Sequence, residues 1–87
     1  MKENKIYPAV FAKEEDGSYN IVFPDLDGAF TCGADFQEAL YMAKDCLELN
    51  LSTLDEMPPI SDLENIKLNK GEHIVMIQAD MLEFKNG

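Results

Sequence analysis

From Ile6 to Lys13 the chain is apolar and rich in β-branched and aromatic residues. Pro8, near the start, predicts that this strand begins there or lies at a sheet edge. Glu14-Glu15-Asp16-Gly17-Ser18 follows, and its Asp-Gly pair is a hairpin-turn signal. Tyr19 to Phe23 returns to a period of two, with Tyr19, Ile21 and Phe23 on one face and Asn20 and Val22 on the other. Pro24-Asp25-Leu26-Asp27-Gly28 reads as a second turn, because proline presets φ and glycine accepts a left-handed backbone. Ala29 to Gly33 is a short third strand in which Phe30 and Cys32 alternate with Ala29 and Thr31. Together these segments predict an antiparallel three-stranded meander.

The period then changes. Asp35 can cap a helix, and Glu38 three residues later completes a capping-box-like pair. Phe36, Leu40, Ala43, Leu47, Leu51 and Leu54 recur at spacings of three and four, which marks one helical face. Run to about Met57, this helix is about 33 Å long, and Pro58-Pro59 stops it. Met42, Cys46 and Leu49 widen the stripe, either as breadth of the core or as a surface for self-association. Ser61 to Gly71 is polar and reads as loop, with a short strand-like piece at Ile66-Lys67-Leu68. His73 to Met81 is the last strand. Its nearly unbroken apolar run predicts a place inside the sheet. A helix before it makes a right-handed crossover to a parallel neighbour the economical connection. The order is β-β-β-α-β, an α+β class with one helix packed on a four-stranded mixed sheet.

Length adds that residues 1–87 form one domain with one modest core. At 46% hydrophobic residues the chain can fold and is not a disordered acidic tail. The N-terminal segment lacks an apolar signal core and no run reaches membrane-spanning length, so a cytoplasmic location is expected. Seventeen acids against seven bases give a formal charge of −10. Such a field repels nucleic-acid phosphate and attracts a basic partner, or else serves only solubility.

Candidate chemistry is sparse. Cys32 and Cys46 form no CxxC motif and are expected to be structural. His73 is the only histidine and has no cysteine or histidine at zinc-ligand spacing. No nucleophile elbow or glycine-rich phosphate loop is present in the sequence. Three acid groups, Glu14-Glu15-Asp16, Asp25 with Asp27, and Asp80 with Glu83, raise the question of Mg²⁺. The first two fall on turns, where acids are favoured for backbone reasons and are expected to be solvated. No carboxylate lies on the first strand, Ile6 to Ala12. Catalytic residues, metal and cofactor are therefore all expected to be absent.

Tyr7-Pro8-Ala9-Val10-Phe11, the Glu14-to-Ser18 turn, and Phe23-Pro24-Asp25-Leu26 with Gly28 resemble the HicB antitoxin family. So do Gly33, Glu38-Ala39-Leu40, Ala43, Leu47 through Leu51 and the Pro-Pro pair, and the resemblance spans essentially the whole chain. It implies a partial RNase H-like fold and an antitoxin that neutralises a HicA toxin, a small basic endoribonuclease acting on messenger RNA. The expected contact residues are the turn acids Glu15, Asp16, Asp25 and Asp27, assisted by Tyr19. Met42, Cys46 and Leu49 are the candidates for a homo-oligomer interface. Active RNase H enzymes carry an essential first-strand Asp, so the fold implies no nuclease activity here. The competing readings are a degenerate metal-dependent nuclease using Asp80, Glu38 and turn acids, and a homo-oligomerisation module. Family members usually carry a C-terminal DNA-binding segment. The sequence stops at Phe84-Lys85-Asn86-Gly87, so that module, and direct DNA binding by this chain, are expected to be missing.

Overall fold

The computed structural model describes residues 4–54 and 57–80. Four strands, β1 (Asn4–Lys13), β2 (Tyr19–Val22), β3 (Phe30–Gly33) and β4 (Glu72–Asp80), form one sheet in the order β3-β2-β1-β4. Helix α1 (Phe36–Ser52) packs on one face of that sheet. The predicted β-β-β-α-β order and α+β class are those observed.

The meander forms because its turns satisfy their own backbone. Glu14 N–H donates to Ser18 O at 2.8 Å, and Gly17 N–H donates to Glu14 O at 3.0 Å. Gly17 takes φ +92°, a conformation that costs glycine little and other residues more. The strands then pair in register, Phe11 opposite Ile21 and Ile21 opposite Thr31. Alternation follows the pleat as expected: Ile21 and Phe23 are buried while Val22 is half exposed.

Helix α1 starts where the capping box predicted. Asp35 Oδ1 accepts from Glu38 N–H at 2.8 Å, and Glu38 Oε1 reaches back to accept from Ala34 N–H at 2.6 Å. Its buried residues are Ala39, Ala43, Leu47 and Leu51, which stack against Tyr7, Phe11, Ile21, Phe23 and Ile77 in the core. Small residues on the first half of this face let the helix approach the sheet closely. Phe36 and Leu40, expected on the buried stripe, lie at its margins and keep about 45% and 36% of their surface.

Several expectations need correction. Pro8 neither begins its strand nor lies at an edge: β1 starts at Asn4 and runs between β2 and β4, with Pro8 opposite Met76. The helix ends at Ser52, not near Met57, because Ser52 and Thr53 hydroxyls donate to Leu49 O and Asn50 O and occupy terminal carbonyls. At 17 residues it is about 25 Å long, and Leu54 stands outside it, exposed.

Strand β4 pairs antiparallel with β1, so the sheet is wholly antiparallel rather than mixed. The connection from α1 travels the length of β1 before re-entering the sheet. Near one end Tyr7 Oη donates to Pro58 O at 2.6 Å; at the other, Lys13 N–H donates to Gly71 O at 3.3 Å. The chain therefore enters β4 beside the end of β1, with Glu72 opposite Ala12 and Asp80 opposite Asn4. That path reverses the direction a crossover would impose.

Strand β4 is also an end strand of the sheet, not an interior one. Its apolar run arises because both of its faces are apolar: Val75, Ile77 and Ala79 on the helix side, Ile74 and Met76 on the other. Ile66-Lys67-Leu68 forms no strand; it is irregular chain that follows a 3-10 turn, Leu63–Asn65, in the connection. Met81, expected in the last strand, lies outside the described residues.

Candidate functional site

The two meander turns carry most of the acids singled out from the sequence, and the structure assigns them different tasks. Glu15 is exposed at the β1–β2 turn. Asp16, also exposed, accepts from Ser18 N–H at 3.0 Å and Ser18 Oγ–H at 2.6 Å. Those hydrogen bonds favour the charged carboxylate and lower its pKa below the ordinary aspartate value. Glu14 Oε2 accepts from Asn20 Nδ2 at 2.7 Å, which fixes a third carboxylate beside them. Glu14, Glu15 and Asp16, with Ser18 and Asn20, line a shallow acidic concavity at this end of the sheet.

At the other end of β2, Asp27 is exposed, whereas Asp25 is half-buried. Asp25 accepts from Ser61 N–H at 3.0 Å and from the Ser61 hydroxyl. It was expected to be a solvated turn acid; instead it ties the turn to the long connection. Its charge also adds to the burial that pushes the Tyr7 phenol above its ordinary pKa. The neutral phenol is the form that donates to Pro58.

Tyr19 is half-buried, and its ring sits in an aromatic trio. Centroid distances are 6.1 Å for Phe11–Tyr19, 5.8 Å for Phe11–Phe36 and 5.5 Å for Tyr19–Phe36, all edge-to-face or tilted. These are favourable aromatic geometries. The trio bridges β1, β2 and the first turn of α1. It thus sets the position of the acidic hairpin relative to the helix.

The candidates on α1 also separate. Cys46 packs against the core, and burial, followed by the nearby Asp45 charge, raises its thiol pKa, partly offset by the hydrogen bond from Asn50. Met42 is half-buried, and Leu49 keeps 62% of its surface. Part of the wide stripe is therefore core breadth, and Leu49 is surface.

Of the carboxylates considered for Mg²⁺, Glu14, Glu15 and Asp16 adjoin at the β1–β2 turn, where Asp16 is engaged by Ser18 and Glu14 by Asn20, and Asp25 is engaged by Ser61 at the opposite end of β2. Glu38 is held in the helix cap, Asp80 ends β4, and Glu83 lies outside the described residues. Among the described residues no three His, Cys, Asp or Glu side chains group in a way that would hold a metal ion. No helix among them is long and apolar enough to cross a membrane.

The sequence reading did not single out Phe30 and Val22. Both lie on the sheet face away from α1, and Phe30 keeps 75% of its surface. The period-two pattern placed Val22 off the buried face, which was the available signal.

The sequence model of one family, described as HicB_like antitoxin of bacterial toxin-antitoxin system, matches residues 7–86. Among solved structures, a chain of a toxin-antitoxin complex from Streptococcus pneumoniae superposes with a TM-score of 0.83 at 23% identity. The match covers 94% of this chain and 73% of that one. At that identity the likeness speaks to the fold. No curated protein matches.

Proposed function

The chain belongs to the HicB-like antitoxin family, and on that premise we propose that it binds a small basic HicA-type ribonuclease and neutralises it by covering the active site. The family match across residues 7–86 carries this reading. The formal charge of −10 supports it, because a field of that sign accelerates encounter with a cationic protein and disfavours the phosphate backbone of that protein's substrate. Inhibition of this kind needs a stable surface and no reactive group. The exposed acids of the two meander turns supply the steering charge. Asp16 and Asp25 also hold their own loops through Ser18 and Ser61, so Glu15 and Asp27 are the residues free to be altered without disturbing the turns.

Association with a catalytically inactive HicA-type toxin, followed by stopped-flow fluorescence across a salt series, tests this reading. The rate is expected to fall as salt rises from about 20 to 500 mM, while dissociation changes little. Glu15→Lys with Asp27→Lys is expected to slow association by about tenfold at low salt and leave the thermal midpoint of the free chain in place. A salt-independent rate in the unaltered chain would remove electrostatic steering from the mechanism. Absence of any complex would remove the antitoxin reading itself.

A further inference from the structure

The sheet has a second apolar face. In an antiparallel pair, residues directly opposite one another share a face. Phe30 lies opposite Val22, Val22 opposite Val10, and Val10 opposite Ile74. One row of four apolar side chains therefore crosses all four strands on the side away from α1. Met76, two residues along β4, extends it and keeps 45% of its surface.

This face is only partly covered. The connection after α1 passes over it and leaves a groove of about 490 Å³, walled by Val10, Val22 and Pro24 on one side and Ser61, Ile66 and Lys67 on the other. Phe30 and Val22 continue the groove floor into the open, at 75% and 51% exposure. An exposed Phe on the end strand, beside an exposed Val on the neighbouring strand and continuous with an apolar groove, is the pattern of a binding surface rather than of a solvated one.

The charge around the row selects its occupant. β2, which carries Val22, has Glu14, Glu15 and Asp16 at one end and Asp25 and Asp27 at the other. A second copy would bring the same acids and another −10 of formal charge against this one. Anionic lipid and nucleic acid are repelled for the same reason. A cationic protein meets the acidic ends of β2 with its own rim while an apolar side chain enters the groove.

Building on the antitoxin reading, we propose that the outer sheet face, centred on Phe30 and Val22, is the surface on which a basic protein partner docks. The acids at the two turns set the speed of encounter; the apolar row holds the complex once formed.

The test uses the full chain and the inactive HicA-type toxin, with binding measured by surface plasmon resonance. Phe30→Thr and Val22→Thr keep β-forming residues at exposed positions, so the sheet is expected to survive, as far-UV circular dichroism will show. The double variant is expected to bind at least about 30-fold more weakly, mainly through faster dissociation. Leu49→Gln, on the helix, is expected to stay within about threefold of the unaltered chain. If the folded double variant binds within threefold, the surface is wrong and the antitoxin function stands. If the unaltered chain does not bind the toxin, the function fails and this surface fails with it. Sedimentation of the free proteins separates the remaining case. A dimeric parent whose double variant is monomeric, yet retains toxin affinity, would show that the face joins two copies and overturn the proposal.

Discussion

Replacing Gly33 by alanine is expected to destabilise the fold by about 3 kcal/mol, the upper part of the range for overpacking. Gly33 ends β3, where it pairs with Tyr19 and passes directly under the start of α1. A Cβ built there would lie 2.5 Å from Ala39 N, 2.6 Å from Ala39 Cα and 3.0 Å from Glu38 C. All three are backbone atoms, so no side chain can swing aside. The helix start cannot move cheaply, because Asp35 and Glu38 bind it into the capping box. The strand cannot move cheaply either, since its neighbour carries Tyr19 in the aromatic trio. Urea denaturation followed by circular dichroism checks this, with the midpoint expected to fall and the slope to stay constant. A loss below about 0.5 kcal/mol would mean that α1 slides over β3 freely.

Leu47→Ala is expected to cost about 2–5 kcal/mol. Leu47 has no exposed surface and is one of the largest fully buried side chains. It packs on the same helix face as Ala43 and Leu51, and the short neighbouring Ala cannot extend into the space its removal leaves. The cavity term therefore adds to the lost transfer energy. In a domain whose total stability is about 5–15 kcal/mol, this loss is a large fraction. The same denaturation curve reads it. A change of only a few tenths of a kcal/mol would place Leu47 outside the cooperative core.

The parts of this structure that were legible beforehand are those governed by local rules. Gly17 and Gly28 marked the turns, Asp35 and Glu38 marked the helix start, and the alternation of Ile21 and Phe23 with Val22 marked the buried face. Position 33 was legible as a glycine but not as a close contact, because the contact depends on where a later helix packs. The direction of β4 was misread for a related reason. A helix between two strands favours a parallel crossover only when the connection is short, and here Tyr7 and Asp25 hold a long one along the sheet through Pro58 and Ser61. Nothing in the local pattern of residues 58–61 announces those long-range partners. The apolar run of β4 was ambiguous in itself, since a central strand and an end strand with two apolar faces read alike. The same ambiguity concealed the row from Phe30 to Ile74. The turn acids were visible as acids, but which of them hold loops and which face solvent follows from Ser18 and Ser61 in three dimensions.

The central claim is inhibition, and the direct measurement is RNA cleavage by an active HicA-type toxin titrated with this chain. A fluorogenic RNA at fixed toxin concentration reports the remaining activity. Cleavage is expected to fall linearly with added chain and to stop at a fixed stoichiometric ratio, as a tight-binding inhibitor requires. Cleavage that continues unchanged with the chain in large excess would contradict the antitoxin function.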